Sequence, residues 1–155
     1  MMLNEVKIRA ATEADEVKVL LWRNHELVRR GSLSGLHIPP EAHSKWFKDR
    51  TTNNQFFIVE KNGAEVGVVC FEKDEEDVVW SFYVIPKFQG KGLGRMVMQL
   101  GLFALRCRGI DLVYADVRDD NQASLKLHTE LGFVVYAVKD NVIKYYKELT
   151  NGCPL

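Results

Sequence analysis

Three absences bound the reading of this sequence before any motif is considered. Charge of one sign is not in excess: Lys plus Arg and Asp plus Glu stand at 21 each in 155 residues, a formal net charge of zero. A chain without a net positive field has no general pull toward nucleic acid or an anionic membrane, so neither is expected as a partner. Cysteine is sparse, with Cys70, Cys107 and Cys153 forming an odd set without metal-like spacing. Cys70 falls in an apolar strand-like run and Cys107 in a helical one, the settings of buried reduced thiols. No metal, disulfide framework or catalytic cysteine is expected. Long hydrophobic runs are missing too. The opening MMLNEVKIRA has no apolar signal core, and no run nears the ~20 residues that span a bilayer. A cytoplasmic protein is expected. No repeat, low-complexity tract or Pro/Ser linker divides the sequence, so 1–155 reads as one domain.

What is present falls into short alternating segments. Residues 5–10 alternate as a strand does, and Thr12 with Asp15 three places on resembles a capping box before a helix over 13–24. A Gly/Ser-rich loop spans 31–35, and Pro39-Pro40 introduces a helix over 41–50. Residues 55–60, 65–73 and 78–85 read as an antiparallel meander whose first turn is Asn62-Gly63. Helical spacing then covers 91–108, closed by Gly109. A strand (111–117), a helix (121–131) and two strands (133–138, 142–147) complete the chain. The expectation is an α/β protein with a mixed, mostly antiparallel sheet and helices on both faces.

The most informative segment is Val84-Ile85-Pro86-Lys87-Phe88-Gln89-Gly90-Lys91-Gly92-Leu93-Gly94-Arg95, lying between a strand and a helix. Glycine permits left-handed backbone angles and close approach to a ligand. The N–H groups of a helix start are unpaired and favour an anion. Lys87, Lys91 and Arg95 add positive charge, and together these features describe a pyrophosphate cradle. A Walker loop fails, because Gly92 follows Gly90-Lys91 where Ser or Thr is required. A dinucleotide fingerprint fails as well, since its third glycine position is Arg95.

This run resembles the pyrophosphate loop of the GCN5-related N-acetyltransferase (GNAT) family, Gln/Arg-x-x-Gly-x-Gly/Ala, here Gln89-Gly90-Lys91-Gly92-Leu93-Gly94. The stretch from Ala115 to Phe133, with Asn121, Ser124 and Leu131-Gly132-Phe133, is similar to the family's second motif. The resemblance implies the GNAT acyl-CoA N-acyltransferase fold, acetyl-CoA as cosubstrate and transfer of acetyl to a primary amine. It implies cofactor contacts at Phe82, Tyr83 and Val84, whose strand backbone would pair with the pantetheine arm. It implies others at Gln89, Gly90, Lys91, Gly92, Leu93, Gly94, Arg95, Asn121 and Ser124.

The attacking amine must be neutral, and the departing thiolate gains from a proton donor. The family commonly has Tyr as that acid at the position of His128, so an imidazolium is expected to serve here. The strand position of Asp116 holds the proposed base in the ribosomal-protein alanine acetyltransferase branch. Asp116 is therefore the expected base, with Glu72 and Ser81 as further candidates. Acceptor specificity in this fold usually comes from the N-terminal helices. The pairing of Arg23-Asn24-His25 with Glu41-x-His43-x-x-Trp46-Phe47 resembles acetyltransferases of amino-sugar nucleotides. Trp22, Arg23, His25, Arg29 and Arg30 are then expected around the acceptor. The same outline is shared with peptide N-terminal acetyltransferases, and a non-catalytic CoA sensor is the third reading. Dimers are common in the family, so a homodimer paired through a C-terminal edge strand is an expectation of the same kind.

Overall fold

The computed structural model describes residues 5–149. A strand β1 (Val6–Ala10) is followed by a 3-10 turn (Glu13–Asp15), α1 (Glu16–Asn24), a short α2 (Glu26–Arg29) and α3 (Pro40–Thr52). The meander is β2 (Phe56–Lys61), β3 (Ala64–Asp74) and β4 (Asp77–Val84). Then come α4 (Gly94–Cys107), β5 (Leu112–Arg118), α5 (Gln122–Glu130), β6 (Val134–Lys139) and β7 (Val142–Glu148).

The seven strands form one sheet in the order β1-β2-β3-β4-β5-β7-β6, in which β4 and β5 alone run parallel. The return strand β7 enters between β5 and β6, leaving β6 at the edge. Strand alternation divides the core in two. One face of β3, β4 and β5 packs Val69, Phe71, Trp80 and Ala115 with Val97, Met98 and Leu105 of α4. The other face packs Ile58, Val68 and Cys70 with Val19 of α1 and Phe47 of α3. The helix α4 lies close to the sheet because Gly67 offers no side chain there: a Cβ would stand 2.5 Å from Val97 Cγ2.

Three local features depart from the sequence reading. The first helix begins as a 3-10 turn, because Asp15 folds back to accept from the Thr12 N–H at 2.8 Å. The helix ends at Asn24 as expected, but a short α2 absent from the sequence reading follows it, capped by His25 Nδ1, which accepts from the Leu27 N–H. Cys70 is a buried thiol, as expected, whereas Cys107 is disulfide-bonded. Cys153 lies outside the described residues.

Candidate active site

The strands β4 and β5 are paired only at Val78↔Val113 and Val79↔Tyr114. Beyond those two pairs β4 runs on to Val84 and β5 to Arg118, so they splay and open a cleft in the sheet. Two parallel neighbours with opposite demands cause this. β4 is held to β3 along its whole length by the hairpin, and β5 is held to β7 from Leu112 to Arg118. Past Val79 the β4 groups that face β5 are released from the ladder. Strand backbone there offers donors and acceptors to an extended ligand. The cleft measures about 1560 Å³ and runs from the glycine loop to the space beneath α1 and α3.

At the cofactor end, Pro86–Phe88 forms a 3-10 turn and Gln89 donates from Nε2 to the Val84 carbonyl at 2.9 Å, fixing the loop to the strand. Gly90 and Gly92 hold φ of 78° and 75° with nothing within 4 Å of a built Cβ. They are needed for backbone angle. Gly94 serves packing: its Cβ would meet Leu127 Cδ1 at 2.8 Å. The first turn of α4 has no side-chain cap and no acidic residue, so its N–H groups remain available to an anion. These features fit the pyrophosphate of a CoA.

The cleft wall includes Phe82, Tyr83, Val84, Gln89, Gly90, Gly92, Leu93, Gly94, Arg95, Asn121 and Ser124, but not Lys91. Arg95 is ion-paired with Glu130. Asn121 caps α5 by accepting from the Ser124 N–H at 3.3 Å, and its Nδ2 donates to the Gly31 carbonyl at 3.4 Å. Arg118 Nη1 donates to the Ser32 carbonyl at 3.2 Å. The loop after α2 is thereby tied across the splay to β5 and α5.

His128 is buried at 2 % exposure, stacked on Tyr145 and edge-on to Phe133 and Trp80. Indole N–H only donates, so the bond from Trp80 Nε1 at 3.3 Å makes His128 Nε2 an acceptor. The proton then sits on Nδ1, which donates to the Ser124 carbonyl at 2.8 Å. Burial pushes the pKa down to about 4, because desolvation disfavours the cation. An imidazolium acid at His128 is thus corrected to a neutral ring with both nitrogens engaged. Ser124 Oγ lies 3.3 Å from Nδ1 and lines the cleft.

Asp116 lines the cleft and pairs with Lys144, its register partner on β7, at 3.3 Å. Glu72 is held by Arg50 at 2.6 Å, and Ser81 by Cys70 at 3.2 Å. Of the acceptor residues expected from sequence, Arg23 and Arg30 reach the wall, as do Glu72 and Ser81. Trp22 and His25 line a separate shallow depression with Pro86, and Arg29 donates to the Gly35 carbonyl. Trp22 precedes the end of α1 and its face of that helix packs against the core of Val19 and Phe47, while His25 and Arg29 lie beyond Asn24 on the cap and last turn of α2. Trp46 and His43 do line it, and both come from α3. His43 was visible in the Glu41-x-His43 pattern, but no periodicity distinguishes a cleft histidine from a core one.

The family model described as "Acetyltransferase (GNAT) family" matches residues 16–133. The L-amino acid N-acyltransferase MnaT of Escherichia coli is 32% identical over 140 residues, covering 85% of this chain and 81% of that protein. Mycothiol acetyltransferase of Frankia casuarinae is 30% identical over 91% of this chain, which spans only 40% of its length. Among solved structures, yncA of Salmonella typhimurium, determined with its cofactor acetyl-CoA, superposes with a TM-score of 0.76 at 25% identity over 95% of both chains.

Proposed function

Because the chain belongs to the GNAT acetyltransferase family and uses acetyl-CoA, we propose that its acceptor is the primary amine of a small molecule, with an amino-sugar nucleotide as the leading class. The observation that carries this is the bridge across the cleft made by the loop after α2. Asn121 and Arg118 bind the carbonyls of Gly31 and Ser32, bridging the loop after α2 over the splay. A peptide acceptor calls for a groove open at both sides. The cationic side chain of Arg23 on the wall suits an anionic small molecule. A second reading, a free amino acid, is favoured by the likeness to MnaT, whose name states that substrate class.

Acetyl-CoA supplies an acetyl group activated as a thioester, which the amine nitrogen attacks as the carbon–sulfur bond breaks. The freed strand edge of β4 past Val79 orients the thioester and donates backbone N–H to its carbonyl oxygen. Asp116, on the β5 lip of the cleft, takes the proton that the amine must lose. Ser124, whose carbonyl is already occupied by His128, keeps its hydroxyl proton for the cleft. The decisive experiment measures CoA release with acetyl-CoA and a panel of amino-sugar nucleotides, amino acids, polyamines and short peptides. Release confined to small anionic amines is expected. Release with peptides alone sinks this reading.

A further inference from the structure

We propose that Arg23, Tyr83 and His43 together form a binding site for one oxyanion of the acceptor, a phosphate or a carboxylate. This deepens the small-molecule reading above and rests on it. The argument begins from polar atoms without partners. Among the described residues five buried side-chain polar atoms have no hydrogen-bond partner: Arg23 Nη1, both ring nitrogens of His43, the Tyr83 hydroxyl and Arg106 Nε. The first four belong to three side chains that line the cleft from α1, α3 and β4. Leaving such groups unsatisfied is costly, most of all for a charged one. Four converging on one cavity describe a receptor for something polar that enters it.

The sign of that ligand follows from the other arginines. The cleft wall carries Arg23, Arg30, Arg50, Arg95 and Arg118. Arg30 is paired with Glu26, Arg50 with Glu72, Arg95 with Glu130 and Arg118 with Asp120. Arg23 has no ion pair among the described residues, and its charged neighbour is another cation, Arg29. Water can hydrate a guanidinium but brings no countercharge. His43 is 1 % exposed and stacked on Phe47 at 5.5 Å, so its ring is fixed. Burial keeps it below its ordinary pKa and therefore neutral, with one donor left for an anion. Tyr83 supplies a hydroxyl donor. One guanidinium and two neutral donors match one oxyanion.

Calorimetric titration of the full chain saturated with CoA, which fills the cofactor end, reads this site without catalysis. The probes are UDP, carrying a diphosphate, and N-acetyl-L-methionine, carrying a carboxylate and no free amine. At least one is expected to bind, and Arg23→Gln to weaken it about 30-fold or more with CoA affinity unchanged. Arg23→Lys keeps part of the affinity and Tyr83→Phe loses a smaller factor, which separates a lost charge from a collapsed pocket. Arg23-dependent binding of UDP identifies a phosphate-bearing acceptor; that of N-acetyl-L-methionine identifies a carboxylate. Equal affinity in Arg23→Gln, or binding of neither probe, overturns the site. The small-molecule reading fails separately, by CoA release with peptides alone.

Discussion

Two corners of the molecule bury arginine in opposite ways. At the N-terminal corner Arg9 meets Asp15 through two bonds of 2.9 and 3.0 Å, Glu60 at 2.9 Å and Glu65 at 2.8 Å. Lys18 closes the cluster on Asp15 and Glu65. At the acceptor end of the cleft Arg23 meets no carboxylate. The two buried histidines repeat the contrast: both nitrogens of His128 are engaged, and neither of His43 is. Polar groups that serve the fold are satisfied within the chain, while those in the acceptor pocket are left for a ligand. The difference assigns function more sharply than burial alone, since all four side chains are wholly or partly withdrawn from water.

The sharpest way to break this contrast is to show that His128 is not structural. Its pKa falls from the ordinary 6.5 to about 4 through burial. The unfolded chain then binds more protons between those values, so stability is full above about pH 6.5 and declines as pH drops toward 4. The decline is on the order of 3 kcal/mol, and urea melts of H128F should lack that part of the acid slope. H128F should also keep turnover within about threefold, after correction for folded fraction; a loss of orders of magnitude would return a chemical role to His128. Next in size, D116N should lower kcat by about 100-fold and remove the acid limb of the pH–rate profile. Its stability should change little, since one partly exposed lysine holds the carboxylate. An unaltered pH–rate profile takes the base role from Asp116.

Much of the cofactor end was legible in the sequence because it is made of backbone. Alternation in residues 78–85, positive-φ glycines and a helix start are local properties, and the elements from β1 to β7, apart from the unexpected α2, fall within a few residues of their expected bounds. The acceptor end is made of side chains brought together from positions 23, 43 and 83, and no local pattern encodes that meeting. Trp22 and Arg29 look as suitable as Arg23 in the sequence, which does not show that Trp22 faces the core from α1 or that a separate α2 carries Arg29. His128 misled for a related reason. The family position suggested an acid, but the indole of Trp80, 48 residues away in sequence, determines which nitrogen carries the proton. The entry of β7 between β5 and β6 likewise depends on tertiary pairing and leaves no mark in hydrophobic periodicity.

The paired corner makes the third prediction. Arg9 holds the Asp15 carboxyl well below the usual carboxylate range, chiefly by hydrogen bonding. This stability is present above the unfolded pKa of about 3.9 and is lost as pH falls below it. D15N should cost about 2 kcal/mol at neutral pH, less than a fully buried broken pair because Arg9 is one-third exposed. It should flatten the acid arm below about pH 4 in thermal melts and leave acetyl transfer unchanged. The smallest effect is the most discriminating. Arg23 is desolvated without compensation, so in the free protein its charge opposes folding. R23Q removes that charge and keeps a polar head of similar reach. Thermal stability should therefore be unchanged or rise by up to about 1 kcal/mol, roughly 3 °C for a chain of this size. A fall in Tm comparable to that of D15N would make Arg23 a structural arginine like Arg9, and the distinction between the two corners would collapse.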